Sequence, residues 1–331
     1  MLAVLCKRHG PPETLVIEEV PSLEAAPGEV VIAVHAASVN FPDTLIIENK
    51  YQFKPPLPFS PGGEVAGTVK QVGLGVTGFK AGDRVIALCG SGAFAEEVRV
   101  AANRLVHLPP GVAMVPASAL LTTYGTTHHA LKDRAQLQPG ETLLVLGAAG
   151  GTGASAIEIG KQLGARVIAA ASSDEKLALC RRMGADDVIN YARDDLREQL
   201  RKLVGDKGVD VVYDPVGGPY AEPALRSMAW CGRYLVIGFA AGEIPKVPLN
   251  LPLLKGCAIL GVFYGSHMDR EPQRFQEGVG ELLQWLAQGR IKPAITVEWP
   301  LERTAEALQR LGQRQVLGKI VLTTALGRTA T

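Results

Sequence analysis

The sequence predicts an α/β protein of two domains, in which a doubly wound parallel sheet is set into a β-rich domain. Three observations carry this. Between residues 121 and 264, continuous apolar runs of strand length alternate with amphipathic segments of helix length, the pattern of a parallel sheet covered on both faces. Residues 1–110 break instead into short strand-like runs bounded by Gly and Pro, with no long helical period. At 331 residues, one hydrophobic core usually divides into two.

Taken in order, a brief apolar start reads as a first strand, because Lys7, Arg8 and His9 follow too soon for a secretory leader. Val30–Val34 is a strand after the Pro27-Gly28 turn, Val65–Val72 follows Pro61-Gly62-Gly63, and Arg84–Leu88 follows Ala81-Gly82-Asp83. The alternating array begins with the strand Leu143–Leu146 and a helix from Gly153 to Leu163. It continues with the strand Arg166–Ala171, a helix over Asp174–Met183, the strand Val188–Asn190 and a helix over Asp194–Val204. The strand Val209–Tyr213, a helix over Tyr220–Met228 and the strand Tyr234–Ile237 complete it. Beyond 270 come a helix over Phe275–Gln288, another over Thr304–Leu311 and the strand Lys319–Leu322. This tail is expected to rejoin the first domain, giving a discontinuous domain of 1–120 with 265–331 and an inserted one of 121–264.

Composition narrows the function. Lys and Arg number 34 against 33 Asp and Glu, leaving +1. Nucleic acid or an anionic membrane surface normally needs a basic excess, so neither is expected as partner. No apolar run reaches the length of a membrane span. The five cysteines are scattered without a C-x-x-C pair, which argues against a disulfide framework or a cysteine-rich zinc knuckle. A reducing, cytoplasmic setting is expected.

The strongest chemistry lies where the apolar strand Leu143–Leu146 meets Gly147-Ala148-Ala149-Gly150-Gly151-Thr152-Gly153 and a helix follows. A helix start offers free N–H groups and a positive dipole end to a pyrophosphate. Residues with little or no side chain let the phosphate approach. The spacing is not the strict G-x-G-x-x-G, and a glycine string alone also suits a plain turn; the repeated strand–helix setting favours a dinucleotide site on Ala149, Gly150, Gly151, Thr152 and Gly153. The next strand ends in Ser172-Ser173, where NAD sites usually carry Asp or Glu for the ribose 2′-hydroxyl. Two serines and Lys176 suit a 2′-phosphate, so NADPH is expected over NADH. Asp174 and Glu175 count against this unless they serve the helix dipole behind Ser173 as N-cap.

The chain resembles the medium-chain dehydrogenase/reductase superfamily and, within it, the zinc-free quinone oxidoreductase family. The likeness runs through residues 38–43, 61–67, 81–85, the glycine turn, Asn190-Tyr191, residues 212–217 and 236–242. It implies a GroES-like β-rich catalytic domain and a Rossmann nucleotide-binding domain. Zinc-dependent relatives place a Cys where Asn40 stands and a His where Gly63 stands; only Glu64 remains, so no metal is expected. His128 and His129 are adjacent, diverge on a helix, and are expected to be packing or solvent residues. The resemblance adds Tyr191 to Lys176 and a serine around the 2′-phosphate, with Arg314 near the C-terminus as a further candidate. Phe239 and Phe263 are expected near the nicotinamide, though core packing would explain them as well. Asn40 and Tyr51 match two polar residues lining the substrate cleft of bacterial-type members; another tyrosine of those members is replaced by Leu45. These members reduce quinones, and Asn40 and Tyr51 are the expected catalytic residues, as hydrogen-bond donors to the developing oxyanion. The expected activity is zinc-independent, NADPH-dependent reduction of quinones or related α,β-unsaturated carbonyls. An enoyl-thioester reductase is the alternative enzyme, and a non-catalytic NADPH-binding or RNA-binding protein the alternative of another class. A homodimer is expected, paired through the apolar run Cys257–Val262.

Overall fold

A computed structural model describes residues 1–329 and divides them into two compact units, 1–122 with 292–329 and 123–291. In the first unit, seven strands form one sheet in the order Ile295–Pro300, Lys319–Thr323, Glu29–Ser38, Glu64–Val72, Arg84–Leu88, Leu105–His107, with Glu97–Ala101 paired to Glu29–Ser38. The first pair is parallel and the rest antiparallel. Leu2–Leu5 and Val16–Glu19 form a separate antiparallel pair. Branched residues of these strands (Val30, Ile32, Val65, Val85, Ile320) meet Phe94, Leu301 and Leu308 in one core.

The second unit is a six-stranded sheet, parallel throughout, in the order Asp187–Asn190, Arg166–Ala171, Thr142–Leu146, Val209–Asp214, Met228–Val236, Ala258–Gly261. Residues 142–146 are buried without alternation, which requires cover on both faces. The order reverses between Thr142–Leu146 and Val209–Asp214, and ligands of open α/β sheets bind at the strand ends beside such a reversal.

Three features depart from the sequence reading. The chain returns to the first unit at Lys292, not near 265, because the helix Pro272–Ala287 packs on the second unit's own His128. Trp285 lies against the His128 ring, Glu281 Oε2 pairs with His128 Nε2 at 2.6 Å, and Gly278 leaves the room this needs. A short helix, Phe41–Ile47, stands within the β-rich segment; two turns are too few to show a period. Residues 121–134 form helical turns, partly of the wide π type, from a mixture of Thr, Tyr, Gly and His without amphipathic spacing.

Candidate functional site

In the second unit, the strand Thr142–Leu146 ends at Gly147, whose φ of 57° is a left-handed turn. Gly150 is the N-cap of the helix Gly151–Gln162. A Cβ on Gly153 would lie 2.4 Å from Gly147 O and 2.6 Å from Ala148 Cα. Only a bare α-carbon lets the helix start press this closely on the strand end, which is the cradle a pyrophosphate requires. Beneath it lies a polar knot the sequence reading missed: Thr127 Oγ1 meets Ser155 Oγ at 2.7 Å and Tyr213 Oη at 2.8 Å, and Ser155 Oγ donates to Thr152 O at 2.9 Å. The available signal was Tyr213 inside an apolar strand, since a buried phenol needs a partner.

At the end of the neighbouring strand, Lys176 Nζ donates to Ser172 Oγ at 3.0 Å, and Ser173 caps the following helix by accepting from Lys176 N. Asp174 turns to Asn190, whose Nδ2 donates to it at 2.9 Å, and to Arg193 at 3.3 Å. The carboxylate that weighed against a 2′-phosphate thus already has two partners. Tyr191 follows Asn190 and its ring lies 4.2 Å from that of Tyr220. Phe239 and Phe263 are both exposed, which disfavours core packing for either. Arg314 belongs to the first unit, in a left-handed conformation after the helix Thr304–Gly312.

The first unit carries a buried polar cluster. Glu64 Oε2 accepts from Ser38 Oγ at 2.6 Å and from Asn40 Nδ2 at 3.1 Å, while Oε1 accepts from Thr122 N. Asn40 Nδ2 also faces Ser38 O and Ser38 Oγ, and Asn40 Oδ1 accepts from Lys319 Nζ at 2.5 Å. Asp43 Oδ2 accepts from Asn40 N at 2.7 Å. Burial pushes the Asp43 carboxyl up to about 7, against the lowering effect of the Asn40 N–H and of Lys319. Burial likewise lowers the Lys319 ammonium, against the pull of Glu64 and Asp43. Both hydrogens of the Asn40 amide are thus engaged inside the protein, and Asn40 reaches a substrate only by surrendering one of these contacts. Tyr51 differs: it is half-buried beside the core, and its hydroxyl makes no hydrogen bond among the described residues. Burial, and then Asp43, raise its pKa, so at neutral pH it is a phenol with a proton to donate.

No helix among the described residues is long and apolar enough to cross a membrane. Residues 26–110 match the alcohol dehydrogenase GroES-like domain family, and residues 151–285 the zinc-binding dehydrogenase family. Quinone oxidoreductase-like protein 2 of Bos taurus is 43% identical over 97% of this chain and 91% of its own length. Quinone oxidoreductase of Pseudomonas aeruginosa is 35% identical over 95% and 97%. The crystal structure of Escherichia coli quinone oxidoreductase complexed with NADPH superimposes with a TM-score of 0.91 at 30% identity, covering 98% of this chain and all of that one.

Proposed function

The chain belongs to the quinone oxidoreductase family of the medium-chain dehydrogenase/reductase superfamily and is an oxidoreductase with NADPH as cofactor; from that premise we propose that it reduces quinones or related α,β-unsaturated carbonyls. The observation that carries the cofactor half is Gly153, whose α-carbon closes on Gly147 as a phosphate cradle does, beside the Lys176–Ser172 pair. Ala149 to Gly153 would hold the pyrophosphate with backbone amides, and Ser172, Ser173, Lys176 and Tyr191 the 2′-phosphate.

NADPH, when bound, would supply the hydride. The protein's task is the proton and the charge. As the acceptor gains an electron pair, negative charge grows on its carbonyl oxygen, and a hydrogen-bond donor placed there lowers the barrier. The free, protonated Tyr51 hydroxyl suits this role, with the proton coming from Tyr51 or solvent. The Asn40 amide is held by Ser38, Glu64 and Lys319, and its backbone N–H holds Asp43, the carboxyl whose charge reaches Tyr51. A conjugated acceptor spreads the incoming charge and needs less electrophilic help than an isolated ketone.

The test is purified protein with NADPH and a series of ortho- and para-quinones, with crotonyl-CoA alongside. Loss of nicotinamide absorbance with quinones supports the proposal. Turnover of the thioester alone makes it an enoyl-thioester reductase. Tight NADPH binding without turnover of either makes it a non-catalytic binder.

We propose a homodimer as well. Ala258–Gly261 is an open edge of the parallel sheet, and Trp230, Leu249, Leu253, Leu254 and Ile259 of the same unit are exposed. A strand edge with large apolar neighbours suits pairing with a second copy.

A further inference from the structure

We propose that His129, Asp133 and His267 form a binding site for a divalent transition-metal ion of the Zn²⁺ class, separate from the dinucleotide turn. They are the one group of metal-ligating side chains among the described residues whose donor atoms all come together, within 4.8 Å of one another. His129 and Asp133 are four residues apart on the helical turn His129–Arg134, and His129 Nδ1 meets Asp133 Oδ2 at 2.8 Å. His267 comes from the helix Tyr264–Arg270, and its ring stacks on that of His129 with centroids 3.8 Å apart and planes 16° off parallel.

The independent observation is His267 itself. Its side chain is 4% exposed and its Nδ1 is buried with no hydrogen-bond partner. Glu271 Oε2 stands 3.9 Å away, beyond hydrogen-bond reach. A buried, unpaired polar atom carries a desolvation penalty that a ligand or a repacked ring would relieve.

The donor set selects the ion. Two imidazoles and one carboxylate suit zinc, copper or nickel; calcium and magnesium prefer oxygen donors alone. Tetrahedral zinc at about 2.0–2.1 Å from each ligand separates its donors by roughly 3.3 Å. The site therefore has to contract, and one imidazole has to turn out of the stack to aim its lone pair. Asp133, at 27% side-chain exposure, leaves one side open for entry and for a water as fourth ligand. Bound there, the ion joins the helical turn at 129–134 to the helix that starts beside Phe263. His128, for its part, points to Glu281, so the two adjacent histidines do diverge; the structure adds that His129 turns toward two further ligating groups.

The experiment is titration calorimetry of chelator-treated, dialysed protein with ZnCl₂, and absorption spectroscopy with Co²⁺ as a coloured substitute. The variants are His129→Gln, His267→Gln and Asp133→Asn, with a Cys231→Ser/Cys257→Ser double variant as control for thiol binding. We expect one ion per chain and visible ligand-field bands of low-symmetry Co²⁺. Groups outside the first coordination sphere are worth 10–100-fold in metal affinity, so loss of either histidine should weaken binding by more than about 100-fold. The cysteine variant should bind as the parent does. Circular dichroism of the metal-free variants establishes folding, and Asp133→Asn carries the test where a histidine variant does not fold. No binding by the parent, undiminished binding in the folded ligand variants, or loss of binding in the cysteine variant overturns the proposal.

Discussion

Lys319 donates from Nζ to Oδ1 of Asn40 across 279 positions of sequence, at 2.5 Å and between two buried side chains. This bond orients the Asn40 amide so that its Nδ2 turns to Glu64 and Ser38. Replacing Lys319 with Met leaves Asn40 Oδ1 unpaired and strips Glu64 and Asp43 of their cationic neighbour. A buried charge cluster broken on one side loses roughly 3–5 kcal/mol. We expect a loss of about that size, read as a lower urea midpoint with unchanged slope.

Asp43 gives the fold a pH signature. Burial pushes its carboxyl from the ordinary aspartate value of 3.8 up to about 7 in the folded protein. Folding therefore favours the protonated acid, and its contribution is present in full below the unfolded pKa and is lost as pH rises through about 7. Asp43→Asn removes the titration and keeps an oxygen for Asn40 N. The variant's melting temperature, relative to the parent's, should climb between about pH 4 and pH 7 and then level off. A difference that does not vary with pH contradicts this.

Tyr51 and Asn40 separate by readout. Tyr51→Phe should lower kcat with a quinone while NADPH affinity and melting temperature stay put, since the hydroxyl makes no hydrogen bond among the described residues. Asn40→Ala should lower melting temperature as well, because Glu64 and Lys319 each lose a partner; a buried group left unsatisfied costs about 1–3 kcal/mol. Equal stability of the two variants contradicts this division of roles.

Two glycines of the same turn should respond unequally. A Cβ at Gly153 falls 2.4 Å from Gly147 O, but one at Gly150 falls 3.4 Å from it. Gly153→Ala forces backbone to move and should weaken NADPH by at least about tenfold, some 1.4 kcal/mol, whereas Gly150→Ala, with no backbone to displace, should weaken it less. Calorimetric titration of NADPH reads both. For the 2′-phosphate, Lys176→Glu should weaken NADPH by at least about tenfold and leave NADH nearly unchanged; equal losses would place Lys176 elsewhere.

The open strand edge is tested by Ile259→Lys. A charge at the centre of the proposed pairing should turn a dimer into a monomer in sedimentation velocity, without loss of helix content.

The sequence by itself determined whatever depends on neighbours along the chain. The apolar run Thr142–Leu146 and the glycines after it are contiguous, so a strand, a tight turn and a helix start follow from local sterics and periodicity. Ser173 as N-cap is local in the same way. The tertiary structure alone decided how distant polar groups pair, because spacing says nothing about which buried donor meets which acceptor. It set Asn40 against Lys319, which satisfies an amide the sequence reading offered to substrate, and it left the Tyr51 hydroxyl without a hydrogen bond among the described residues. It held the helix Pro272–Ala287 to His128, moving the return to the first unit from near 265 to Lys292. It also brought His267 beside His129 and Asp133, since residues far apart in a chain meet only when the packing of helices on a common core requires it.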